Sequence, residues 1–79
     1  MPKFKVVKED KFGSEIEGEY DNREMAEARL IDVIANTISN FNDYESNDID
    51  DIIEKGFERY GMGVIYIEED GIKPSQILK

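Results

Sequence analysis

The chain has 79 residues and carries 19 Asp and Glu against 10 Lys and Arg, a net charge of −9, with no Cys, His or Trp. Those counts exclude a disulfide scaffold, a Cys or His zinc site, a Ser-His-Asp triad and a Cys nucleophile. Direct nucleic-acid binding is not expected either, because it depends on clustered Lys and Arg neutralising phosphates. No apolar run approaches the ~18 residues of a membrane span, and no basic start leads into an apolar stretch. The expectation is a cytoplasmic protein with no membrane partner. Leu, Ile, Val and Phe supply 21 residues, a richer apolar content than disordered chains have, so one small acidic domain over residues 1–79 is expected. A chain this short buries limited surface, and with no disulfide a homodimer is the expected stabiliser.

Residues 3–20 read as a β-hairpin. Phe4 and Val6 alternate with Lys3, Lys5 and Val7, and Ile16 and Tyr20 alternate with Glu15, Glu17 and Glu19, the period of two that a strand requires. Glu9–Gly13 forms the turn, with Gly13 free to take a positive φ. Pairing Val6 with Ile16 sets Lys5 opposite Glu17 and Lys3 opposite Glu19, one apolar face and one face of charge pairs.

Asp21 is the expected N-cap of a first helix, with Glu24 three residues on. Ala26, Leu30, Val33, Ile34, Thr37, Ile38 and Phe41 follow at three- and four-residue spacing, a single stripe over about twenty residues. Arg29, Asp32, Asn36 and Ser39 fall on the opposite face. Ile31 lies off the stripe, where it either widens the stripe or marks a contact with another subunit.

Asn42–Asn47 has no apolar rhythm and reads as a loop. A second helix is expected from about Asp48 to Tyr60, with Ile49, Ile52, Ile53, Phe57 and Tyr60 as its stripe and acids in its first turn. Gly61 is its expected stop, and Gly56 lies inside it at a cost of about 1 kcal/mol. Val64–Ile67 reads as a central strand and Asp70-Gly71 as a turn. Pro74 leaves the tail from Ile72 as an edge strand, a short helix or a docking arm. The order β-β-α-α-β, with a further C-terminal element open, predicts an α+β fold. In it a small, mainly antiparallel sheet of three or four strands carries both helices on one face.

The acids are unevenly placed. Eleven of the 19 lie in two base-free stretches, one between Lys11 and Arg23 and one between Arg29 and Lys55. Strand residues two apart point the same way at about 6.6 Å, close to two phosphate steps of about 3.4 Å on a DNA strand. Glu15, Glu17 and Glu19 are therefore a candidate phosphate-like ladder, unless Lys3 and Lys5 pair with them. The second stretch concentrates Asp43, Glu45, Asp48, Asp50, Asp51 and Glu54 on a loop and helix start. Helix-end acids and a solvated loop explain them one by one. They explain the set less well, because six like charges repel. Tyr44 stands among them, either a ring that anchors an interface or one that packs locally.

Counting Asp43 as first position of an EF-hand loop puts Glu45 third, Asn47 fifth, Asp51 ninth and Glu54 twelfth, a pattern that resembles a calcium site between two helices. Asp48 stands at the sixth position, where the turn wants Gly. Asp48 with Asp50, or Asp51 with Glu54, are the carboxylate pairs available for acid–base or Mg²⁺ chemistry. They have no convergent second element, so no catalytic residue, no resident cofactor and no enzyme activity are expected.

In size and charge the chain resembles the small phage-encoded DNA-mimic inhibitors, a likeness carried by composition and by no motif. The resemblance implies a cytoplasmic protein, in the host cell if phage-encoded, that binds a basic DNA-handling protein such as a histone-like HU protein, a restriction enzyme or a repair glycosylase. The resulting expectation is an inhibitory binding protein. Its main contact is Asp43, Tyr44, Glu45, Asp48, Asp50, Asp51 and Glu54, and its second patch is Glu15, Glu17 and Glu19. The alternatives are a calcium-binding helix-loop-helix domain and a structural module that dimerises through Ile31 or the tail.

Overall fold

The computed structural model describes residues 3–74 and 77. Strand β1 (Phe4–Asp10) and strand β2 (Gly13–Tyr20) form the expected hairpin, closed by Lys11 and Phe12. Asp10 Oδ1 accepts from the Phe12 N–H at 2.8 Å and fixes the turn, a side-chain mimic of a backbone turn. Strand β3 (Phe57–Tyr60) and strand β4 (Gly63–Glu69) form a second hairpin. The four make one antiparallel sheet in the order β2-β1-β4-β3, so the β-branched run Val64–Ile67 is central as expected.

The hairpin register differs from the one expected. The two-residue turn at Lys11 and Phe12 sets Val7, not Val6, opposite Ile16, and a β-bulge at Glu17 then shifts the pairs beyond it by one more residue, so that Val6 meets Gly18. Val6 and Val7 are both buried, on opposite faces of the sheet. A bulge switches which face the following residues occupy.

Helix α1 (Arg23–Thr37) starts one residue later than expected. Asn22, not Asp21, is its cap, and its side chain accepts from the Met25 N–H at 2.9 Å. Ala26, Leu30, Val33 and Ile34 are buried. The helix ends at Thr37, and Ile38 and Phe41 reach the same core from its cap and from a 3-10 turn (Phe41–Asp43). Ile31 is half-buried against that core, so it widens the stripe.

Helix α2 (Ser46–Lys55) is shorter than expected. Gly56 at φ 84 is its left-handed C-cap, with its N–H bonded to the Ile52 carbonyl at 2.7 Å. The stop is therefore Gly56 and not Gly61, and Phe57–Tyr60 is a strand. Phe57 lies on one face of the sheet beside Tyr66, and Tyr60 packs on the other with the helices. Because both faces are covered, the two rings satisfy a helical spacing equally well.

The core lies between one sheet face and the helices: Phe4, Val6, Ile65 and Ile67 pack against Ala26, Leu30, Val33, Ile34 and Ile52. On the opposite face Val7, Phe57 and Tyr66 form a small second cluster. Asp70 (φ 51) and Gly71 (φ 84) make the tight turn expected of that pair and direct the chain back onto this second face. Lys73 Nζ lies 5.6 Å from the Tyr66 ring centroid and 3.4 Å from Glu9 Oε1. Ile77 packs on the cluster, and its carbonyl accepts from Arg59 at 3.0 Å. The described part of the tail is thus an arm docked on its own sheet, while residues 75, 76, 78 and 79 lie outside the described residues. Among the described residues no helix is long and apolar enough to cross a membrane.

Candidate acidic interface

The two base-free stretches fare differently once folded. On β2 the bulge separates the three glutamates. Glu15 is partnered by Lys8 on the helix-covered face, whereas Glu19 is partnered by Lys5 on the opposite face. Glu17, at the bulge, reaches Arg29 Nη2 at 3.6 Å, and its carbonyl accepts from Arg29 Nε at 3.0 Å. Glu19 lies 3.8 Å from Lys3 Nζ. The one-sided ladder expected from period-two spacing is not formed. Two of its three members have a cation in reach.

The segment from Asp43 to Glu54 keeps its charge at the surface. Asp43, Glu45, Asp48, Asp50, Asp51 and Glu54 are all exposed. The elements that hold them are ordered by the acids themselves: Asp48 Oδ2 accepts from the Glu45 N–H at 2.9 Å at the start of α2, closing the first turn. Asp51 lies 3.1 Å from Lys55 Nζ one turn on, a surface pair worth a few tenths of a kcal/mol.

Asp43, Tyr44, Asp48, Asp51, Lys55 and Glu58 surround a shallow hollow between the 3-10 turn, α2 and β3. Glu58 is the member that sequence reasoning missed. A helix running to Tyr60 would contain it, and its approach depends on β3 pairing with β4, which no local spacing signals. The Tyr44 ring stacks on Phe41 at 5.2 Å between centroids, and its hydroxyl donates to Glu58 Oε2 at 2.7 Å. The ring is therefore engaged in local packing. That hydrogen bond, together with burial and the negative charge of Glu58 and Asp48, pushes the Tyr44 phenol up to about 12. Asp50 and Glu54 lie four residues apart on the helix, a rise of about 6 Å on its exposed side.

The EF-hand alternative fails on backbone geometry. Ser46–Lys55 is helical, so Asn47, Asp51 and Glu54 stand on a helix. The twelve-residue loop that would turn them inward with Asp43 and Glu45 does not exist. Among the described residues no group of three or more carboxylates is placed to hold a metal ion.

The molecule belongs, by its architecture, to the small α+β domains with helices on one side of an antiparallel sheet. Comparison with protein-family models, with curated proteins and with solved structures finds no match to this chain.

Proposed function

We propose that this protein is a non-enzymatic inhibitory binding protein whose acidic surface competes with nucleic acid for a basic DNA-handling protein. The observation that carries the reading is the contrast between the two acidic stretches. The β2 glutamates are split between faces and partly paired. The six acids from Asp43 to Glu54 stand exposed on an ordered turn and helix, where Asp51 alone forms a salt bridge among the described residues, to Lys55. A surface of this kind raises the association rate with a basic partner and repels acidic ones. Occupying the partner's phosphate sites releases no counterions from DNA, yet it uses the same cations, so the two ligands exclude each other. Exposed charges make the contact, so binding weakens as salt rises.

The test is displacement of a fluorescent DNA duplex from a panel of basic proteins: a histone-like HU protein, a restriction enzyme and a repair glycosylase. Each is titrated with the full chain at low and at physiological salt. Displacement from at least one of them is expected, weaker at the higher salt. It is lost in a variant carrying Asp43→Asn, Asp50→Asn, Asp51→Asn and Glu54→Gln, which spares Asp48 because that side chain caps α2. Absence of displacement across the panel, indifference to salt, or full activity in the charge-removed variant overturns the reading.

A further inference from the structure

We infer that the free edge of β2 between Gly13 and Ile16 pairs with an extended segment of the partner in which cationic and apolar residues alternate. The inference rests on the reading that the partner is basic and adds a second, backbone-mediated contact to it. The sheet order leaves β2 at one edge and β3 at the other. The β3 edge is only four residues long, and its Arg59 is bonded to the Ile77 carbonyl. The β2 edge is eight residues long, and Gly13, Ser14, Glu15 and Ile16 are all exposed. In an antiparallel pair only alternate residues exchange bonds with a given neighbour, so part of this row of N–H and C=O groups faces away from β1. An open row of this kind accepts an added strand. It ends at the bulge, where Arg29 takes the Glu17 carbonyl.

The two faces of that row define the occupant. Ile16 lies on the same face as its partner Val7 and is 57% exposed. Glu15 lies on the opposite face and forms no ion pair among the described residues, even with its cross-strand neighbour Lys8. A strand that extends the sheet sets one side chain beside Glu15 and the next beside Ile16, on opposite faces. A cation followed by an apolar residue satisfies both. A second copy of β2 does not. Pairing Ile16 with Ile16 sets Glu15 against Glu17, and centring on Glu15 sets it against itself, and like charges directly opposite oppose pairing. Centring on Ser14 sets Glu15 against Gly13, with no counter-charge and no apolar partner for Ile16 within the strand. A basic strand thus satisfies both faces of the edge, which no antiparallel register of a second β2 does.

Two peptides of equal length and charge separate this from general attraction: one alternates Lys and Val, and the other carries Pro in place of a central Val. Each is titrated into the isotope-labelled full chain, with amide chemical shifts as readout. The alternating peptide is expected to shift the amides of Gly13–Ile16 and to bind about tenfold tighter than the Pro peptide, which loses backbone bonds. Glu15→Lys is expected to weaken the alternating peptide by a similar factor while leaving the circular dichroism spectrum and the melting of the chain unchanged. Equal binding of the two peptides, shifts confined to residues 43–54, or no shifts at all overturns the edge contact and leaves the displacement result standing. Failure of displacement with β2 binding intact removes the competition reading instead.

Discussion

Replacing Gly63 by alanine sets a methyl group against the backbone of a neighbouring central strand. Gly63 opens β4 and pairs with Asp10 of β1. A Cβ built there overlaps the Glu9 carbonyl oxygen and stands 2.8 Å from Asp10 Cα and 2.9 Å from the Glu9 carbonyl carbon, where ordinary contacts begin near 3.4 Å. A crowded side chain relieves such overlap by rotating, at a cost of about 1–3 kcal/mol. Here β1 is hydrogen-bonded on both sides, to β2 and to β4, so the strands must part. The upper end of that range, ~3 kcal/mol, is the expected loss, offset by about 0.5 kcal/mol from the stiffer unfolded chain. For a domain of this size that lowers Tm by roughly 10–20 °C. Gly61→Ala is the control, since a Cβ there has no heavy atom within 4 Å, and it is expected within about 0.5 kcal/mol of the parent. Circular dichroism melts and urea titrations of both variants give the comparison. A Gly63→Ala protein that melts within a few degrees of the parent refutes the β1–β4 register.

The phenols of Tyr44 and Tyr66 are both pushed up to about 12, the second by burial first and then by the charge and hydrogen bond of Glu9. The folded state holds these protons longer than the unfolded chain, so their contribution is complete below pH 10 and is lost as pH rises through about 12. Urea titrations at stepped alkaline pH should show that fall, and Tyr44→Phe should reduce it. A fall complete before pH 10 contradicts the assignment. Leu30 is fully buried beneath the sheet, and Leu30→Ala is expected to cost about 3 kcal/mol, enough to populate the unfolded state of a small domain at room temperature. A loss below about 1 kcal/mol in urea places Leu30 outside the core. Arg29 ties α1 to the bulge through the Glu17 carbonyl and also lies 2.7 Å from Asp32 Oδ2. Arg29→Met is expected to cost about 1 kcal/mol and to speed hydrogen exchange at the Glu17 and Gly18 amides. Unchanged exchange there means that the bulge does not depend on the arginine.

The first hairpin, the stripe of α1, the strand at Val64 and the turn at Asp70-Gly71 were legible in the sequence because each depends on neighbours a few residues away. The end of α2 was not. Ile53, Phe57 and Tyr60 continue a helical stripe, and Gly56 is tolerable inside a helix on propensity alone. What stops the helix is the pairing of Phe57–Tyr60 with β4, where Phe57 meets Tyr66 on the far face and Tyr60 joins the helix-side core. The acidic segment was legible as a cluster. The position of Glu58 beside it depended on the same unseen strand.

The opening charge of −9 has its local meaning sorted the same way. Chain order alone determined that the acids fall in two base-free stretches, and that six of them crowd Asp43–Glu54. Only the tertiary structure decided which stretch keeps most of its acids exposed and outside salt bridges. A single extra residue at Glu17 turned Glu15 and Glu19 to opposite faces and brought Arg29 onto Glu17. The start of α2 left Asp43, Glu45, Asp48, Asp50, Asp51 and Glu54 exposed. The physical reason is that spacing records which residues share a face only while register is kept. Register is a property of the partner strand, and a one-residue bulge rewrites it.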